Sequence, residues 1–153
     1  MDERLIHGQV TVGWGSRLKP LRYVVIDDGL PDSDFERDLH RLGVPEGSEA
    51  EFHSVAEGRA RLSGWMSEEF PIVLLTRDLD HMLRLAAGDE LRGERVNLGG
   101  IHYRAGRTQV LPFLYLGQTE REQIQALGAE GVEVSAQDLP GHPATAGRQL
   151  VDS

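Results

Sequence analysis

The amino-acid sequence predicts an α/β fold: one domain in three layers, α/β/α, with an open, mainly parallel twisted sheet and helices on both of its faces. Three observations point there. Residues 21–26 and 71–76 are short apolar runs rich in β-branched side chains, the pattern of strands buried on both faces. Stretches with apolar residues at helical spacing separate these runs from each other and from weaker strand candidates, as in parallel strands joined by helical crossovers. The 153 residues contain no internal repeat, long linker or low-complexity segment, so 1–153 reads as a single domain.

In chain order, Val10 and Trp14, four apart, begin the apolar face of a first helix that Lys19 and Pro20 close. The strand at 21–26 follows, ended by the turn residues Asp27, Asp28 and Gly29. Asp32, Ser33 and Asp34 open a second helix with Phe35, Leu39 and Leu42 on one face, and Gly43 ends it. Residues 51–55 are a weaker strand, and 55–67 form a third helix with Ala56, Ala60, Leu62 and Met66. After the strand at 71–76, residues 78–87 make a helix with Leu79, Met82, Leu83 and Ala86 inward. A short strand at 95–98 runs into Gly99 and Gly100, and a polar loop, 101–108, carries His102, Arg104, Gly106 and Arg107. Residues 112–116 form another strand. Thr119, with Glu122 three residues on, reads as the capping box of a last helix with Ile124 and Leu127 inward and Gly128 at its end. Residues 132–134 are a final strand, and the Pro- and Gly-rich stretch 138–153 reads as a loose tail.

Composition narrows the function. The formal net charge of −9 argues against a nucleic-acid binder, which needs a basic footprint. No apolar run approaches bilayer length, so no direct membrane insertion is expected. The absence of cysteine excludes disulfides and thiolate metal sites and fits a cytoplasmic protein. The histidines at 40, 53, 81, 102 and 142 lack metal-ligand spacing, and no metal or cofactor is expected. Asp27 and Asp28 after a buried strand suit the Mg²⁺ site of a receiver domain, but such a site needs a lysine after a late strand. The single lysine here is Lys19, so the pair reads as a turn.

The chemistry concentrates in the first fourteen residues, Met1-Asp2-Glu3-Arg4-Leu5-Ile6-His7-Gly8-Gln9-Val10-Thr11-Val12-Gly13-Trp14. His7 lies just ahead of a helix, where unpaired backbone N–H groups and the helix dipole favour an anion. Gly8 leaves the backbone open to a bulky charged group, and Arg4 supplies a planar fork for phosphate oxygens. A neutral imidazole among such donors is suited to accept a phosphoryl group and pass it on. On spacing alone, a histidine beside a glycine is more often a turn residue.

The string Asp2-Glu3-Arg4-Leu5-Ile6-His7-Gly8-Gln9-Val10 with Trp14 closely resembles the signature of IIB subunits of bacterial sugar phosphotransferase systems, in the mannose/fructose/sorbose family. Val24-Val25-Ile26-Asp27-Asp28 resembles that family's second strand. Val96-Asn97-Leu98-Gly99-Gly100-Ile101-His102 with Gly106-Arg107-Thr108-Gln109-Val110 resembles its second signature. The resemblance implies His7 as the phosphohistidine nucleophile, through Nδ1. Arg4 would clamp the phosphate, Asp2 would orient His7 or Arg4, and the amides near Gly8 and Gln9 would hold phosphate oxygens. It implies a phosphorylated IIA partner as donor, IIC and IID membrane components as recipients with their sugar, and a cytoplasmic protein held at the membrane through those partners. In the family the motif follows a complete first strand, so the first β-strand is expected to be truncated here, with residues upstream of Met1 in the natural protein.

Several further residues carry two readings each. Asn97, Gly99 and Gly100, at a strand's C-terminal end, are a wall of the phosphate pocket or a tight turn. Thr76 gives its hydroxyl to phosphate or caps the next helix. Arg104 and Arg107 meet phosphate or an acidic partner, with a solvated loop favoured for Arg107. Trp14 and Trp65 read as core or interface anchors. The alternative function is a IIB-like regulatory or protein-binding module uncoupled from transport. A homo-oligomer is compatible with either.

Overall fold

The computed structural model describes residues 1–153. After Met1–Glu3 and a tight loop, the first helix winds as a π-helix over Gln9–Trp14 and continues as α1, Gly15–Leu18. Lys19 ends it with φ 49°, a left-handed C-cap. The remaining elements are β1 (Arg22–Ile26), a 3₁₀ turn (Leu30–Asp32), α2 (Asp34–Leu42), β2 (Glu49–His53), α3 (Val55–Met66), β3 (Ile72–Thr76) and α4 (Leu79–Ala86). Then come β4 (Arg95–Leu98), β5 (Thr108–Leu111), β6 (Leu114–Leu116), α5 (Gln118–Ala129), β7 (Glu133–Ala136), β8 (Thr145–Ala146) and α6 (Gly147–Val151).

β1 pairs in parallel with β2 on one side and β3 on the other, Val24 standing opposite Glu51 and Leu74. A second group holds β4 parallel to β7, with β8 antiparallel on β7. Met1–Glu3 joins the two groups. The Asp2 amide donates to the Thr76 carbonyl at the end of β3; the Glu3 amide donates to the Gly100 carbonyl, and the Met1 carbonyl accepts from the Gly99 amide. The spatial order is therefore β2-β1-β3, the Met1–Glu3 segment, β4-β7-β8. Where a strand would lie between β3 and β4, this segment pairs with their C-terminal ends alone.

Alternate residues of β1 reach two separate cores, which makes the three layers. Val24 and Ile26 pack with Leu62, Leu79 and Leu85 of α3 and α4, whereas Tyr23 and Val25 pack with Leu5, Ile6, Val10 and Leu30. A strand covered on both faces must be apolar at every position, as residues 21–26 are. Gly58 lets α3 lie close on β1: a Cβ there would stand 2.7 Å from Ile26 Cδ1.

Four details depart from the sequence reading. The Phe35, Leu39, Leu42 face of α2 looks to solvent, Phe35 being 73% and Leu42 84% exposed. The helix instead rests on the sheet through His40 and Arg41, both near the Phe52 ring. The strand at 112–116 is the second arm of a hairpin whose first arm, β5, has the polar look of a loop. The last helix starts at Gly117, where Glu120 accepts from the Gly117 amide at 2.8 Å, rather than at Thr119. Residues 138–153, read as a loose tail, carry β8 and α6; Leu150 is fully buried, and Arg121 donates to its carbonyl at 2.6 Å.

Candidate functional site

The loop after Met1–Glu3 lies at the C-terminal ends of β3 and β4, the edge where open α/β sheets place their ligands. Asp2, only 2% exposed, anchors it. Its Oδ1 accepts from the Arg4 amide at 3.0 Å and from Arg4 Nε at 3.1 Å, and its Oδ2 accepts from Arg4 Nη2 at 3.0 Å. Arg4 Nη2 also donates to Gln9 Oε1, and Gln9 Nε2 donates to the Gly99 carbonyl, each at 3.1 Å. The Arg4 side chain keeps 38% of its surface in solvent, so the guanidinium is aimed but not enclosed. A Cβ on Gly99 would come within 3.0 Å of Asp2 Oδ2. One on Gly100 would meet that oxygen at 3.1 Å and Arg4 Nη2 at 3.2 Å. Both glycines are thus where the clamp needs room.

His7 follows on the same loop. Its Nδ1 lies 2.8 Å from the Leu5 carbonyl oxygen, which can only accept, so Nδ1 carries a proton, and in the neutral ring Nε2 holds the lone pair. Nε2 is buried without a hydrogen-bond partner, 3.6 Å from Asp2 Oδ2. Leu5 itself holds φ 56°, a left-handed conformation costly to a branched side chain by about 1–2 kcal/mol. Its burial and its amide bond to the Asp2 carbonyl keep it there. The His7 carbonyl accepts from the Val10 and Thr11 amides and from Thr11 Oγ1. This opens the helix, leaving the Gly8 and Gln9 amides at a start where no earlier helical carbonyl reaches them. A Cβ on Gly8 would meet nothing within 4 Å.

The other sequence candidates divide. Thr76 is buried and donates to the Asp78 carbonyl, reaching the site through its own carbonyl, which holds Asp2. Asn97 turns its amide to the Gln137 carbonyl at 2.9 Å and supports β4 from behind. Arg104 is exposed on the 101–107 loop without an ion pair. Trp14 donates to the Asp138 carbonyl and fastens the first helix. Asp27 caps Gly29 and Leu30, and Asp28 accepts from the Val55 amide and Arg84. The Val55 bond, then Arg84, hold the Asp28 carboxyl below its ordinary value. Asp78, Asp80 and His81 form a compact cluster of possible metal donors, but Asp78 already caps α4 by accepting from the His81 amide and ring.

One network has no signal in the sequence. Glu3 Oε1 accepts from Arg107 Nη1, and Glu3 Oε2 accepts from the His102 amide, each at 2.9 Å. Arg107 Nη2 reaches Glu120 at 2.8 Å. Arg107, read as part of a solvated loop, is therefore half-buried and ties the active loop, the 101–107 loop and α5 together. Burial opposes its charge, but Glu120 and Glu3 outweigh that and hold the guanidinium above its ordinary value. Burial likewise pushes the Glu120 carboxyl up, and the Gly117 amide with Arg107 brings it below its usual range.

Known proteins resemble this chain in sequence and in fold. The family described as PTS system sorbose subfamily IIB component matches residues 1–152. A curated relative, the N-acetylgalactosamine-specific phosphotransferase enzyme IIB component 1 of Escherichia coli, is 28% identical over 142 residues, 92% of this chain and 89% of that protein. The crystal structure of manxB from Thermoanaerobacter tengcongensis superposes with a TM-score of 0.85 at 26% identity, covering 100% of this chain and 92% of the other. The IIBSor domain of the sorbose permease from Klebsiella pneumoniae, at 21% identity, shares the fold with a TM-score of 0.86 over 99% of this chain and 93% of its own. No helix is long and apolar enough to cross a membrane. The chain belongs to the sorbose-family IIB components of the sugar phosphotransferase system, phosphocarriers by family.

Proposed function

We propose that this chain carries a phosphoryl group on His7, taken from a phosphohistidine of a IIA protein or domain and passed to a sugar held by IIC and IID membrane components. The observation that carries the reading is the Asp2–Arg4 pair, which aims a partly free guanidinium beside the His7 imidazole. A phosphohistidine donor needs no metal to activate it, so positioning and charge stabilisation supply the catalysis.

The transfer balances without moving a proton between rings. The lone pair of neutral His7 attacks phosphorus as the donor's N–P bond breaks, and the donor ring leaves neutral with its remaining N–H. His7 becomes a phosphoimidazolium whose other nitrogen keeps its proton. Attack through Nδ1 requires the ring to leave the Leu5 carbonyl, give up its Nδ1 proton to water while Nε2 takes one (the other neutral tautomer), and turn, which also takes the new dianion away from Asp2 Oδ2. In this reading Arg4, with the Gly8 and Gln9 amides, holds the phosphate oxygens. Gly99 and Gly100 form the wall, Arg104 reaches in from its exposed loop, and Asn97 and Thr76 brace the strand ends. The protein works in the cytoplasm, attached to the membrane through its partners.

His7→Ala, given phosphorylated IIA, should take up no label while its circular dichroism stays that of the parent. Continued labelling of the variant would refute the assignment. A parent chain that stays unlabelled would favour a regulatory module.

A further inference from the structure

We propose that the outer face of α2 is the docking surface of the membrane partner, which meets it with an amphipathic cytoplasmic segment rich in lysine and arginine. The inference rests on the phosphocarrier reading above and adds to it the place of contact. α2 is turned the opposite way from an ordinary surface helix. Phe35, Leu39 and Leu42 stand exposed within an arc of about 60°. The side that meets the sheet carries His40 and Arg41, both near the Phe52 ring, and no residue of the helix is fully buried. An apolar stripe turned to solvent adds nothing to the core and marks a contact surface.

Charge on the rim selects the occupant. Asp34 and Asp38 flank the stripe on one side and Glu36 on the other. The carboxylates of Asp34 and Asp38 stand outermost: Asp34 is 90% exposed against 25% for Arg37, which pairs with it, and Asp38 is 73% exposed against 51% for Arg41. Such a rim repels an anionic lipid surface, which takes helices with basic flanks. It also disfavours a second copy of this chain. Asp38 flanks the middle of the stripe, so it would meet its own counterpart whether two such helices paired parallel or antiparallel. A basic amphipathic segment matches both the stripe and the rim, and cytoplasmic segments beside membrane spans carry an excess of lysine and arginine.

Position ties the face to the site. Glu36 accepts from Arg77 Nη2 at 3.3 Å, one residue past Thr76, whose carbonyl holds Asp2. At the other end of α2, a Cβ on Gly43 would stand 3.5 Å from Ile6 Cγ2, one residue before His7. A partner seated on α2 therefore lies beside the loop that carries His7. Three side chains cover far less than the roughly 800 Å² per partner of a stable complex, which suits a contact made and broken in every transfer.

The test compares the parent with the triple variant Phe35→Ser, Leu39→Ser, Leu42→Ser and with the double variant Asp34→Lys, Asp38→Lys, each checked for parental circular dichroism. All three chains should take label from phosphorylated IIA at the parental rate. Passing that label to sugar in proteoliposomes holding IIC and IID should require about tenfold or more of either variant for half the maximal rate. Hydrogen exchange of the parent should slow at 34–42 with those proteoliposomes and stay unchanged with empty anionic liposomes. Parental half-saturation in both variants, slowed labelling from IIA in place of slowed passage to sugar, protection by empty liposomes, or no protection at 34–42 would each overturn the proposal. A parent that takes no label would bring down the phosphocarrier reading, and this proposal with it.

Discussion

Asp2→Asn tests whether a buried carboxylate sets the geometry of the clamp. Asp2 receives three bonds from Arg4, two of them from the guanidinium at 3.0 and 3.1 Å. The asparagine amide keeps one acceptor and turns an N–H₂ group toward a guanidinium N–H. Hydrogen bonds to a charged group contribute about 1.5–3 kcal/mol. Breaking a fully buried ion pair costs about 3–5 kcal/mol. Arg4 is partly exposed, so water replaces some of what is lost, and the lower range of about 1.5–3 kcal/mol applies. If the same ordering positions the phosphate, transfer slows about 10- to 150-fold. Urea titration measures the first quantity, and rapid-quench labelling from phosphorylated IIA the second. A variant within about 0.5 kcal/mol of the parent that labels at the parental rate would show that Asp2 is a bystander.

Arg107→Met leaves Glu3 and Glu120 without their shared cation in a half-buried setting, and urea titration should record a loss of about 3 kcal/mol; a loss below about 1 kcal/mol would mean the network is screened. Leu42→Ser removes a side chain that is 84% exposed, so stability should hold within about 0.5 kcal/mol, and a larger drop would mean that α2 packs its apolar face inward.

Local signals carried the parts of the fold that depend on local chemistry. β1 and β3 were readable because burial on both faces demands an apolar residue at each position, which no other local structure of that length requires. The Arg4–His7 loop was readable because its residue types sit next to one another in the chain. Periodicity places Phe35, Leu39 and Leu42 on one side of α2, but which side the sheet covers depends on Phe52 meeting His40 and Arg41. Gly117 with Glu120 and Thr119 with Glu122 share one spacing, so spacing alone does not place the α5 start; Arg107, thirteen residues away from Glu120, decides between them. Glu3 and Arg107 lie 104 positions apart and meet only after the sheet forms. The left-handed Leu5 is likewise imposed from outside, by the pairing of Asp2 with Thr76 and Gly100.

A phosphoryl carrier of the kind proposed must release what it accepts, which limits how strongly its cation can hold phosphate. A free arginine would offer its whole fork to the dianion and favour the loaded state over onward transfer. Here Asp2 and Gln9 already occupy Nε and Nη2, so Arg4 approaches phosphate with part of its donor capacity spent and its charge half neutralised. The buried carboxylate thus does two things at once: it fixes where the guanidinium points, and it weakens what that guanidinium can bind. That balance explains why an acid belongs beside an anion site, where charge alone would exclude it. It also explains why the acid hangs from the backbone junction of β3 and β4 rather than from a loop: a carboxylate free to swing away would restore the full grip of Arg4 and trap the phosphoryl group.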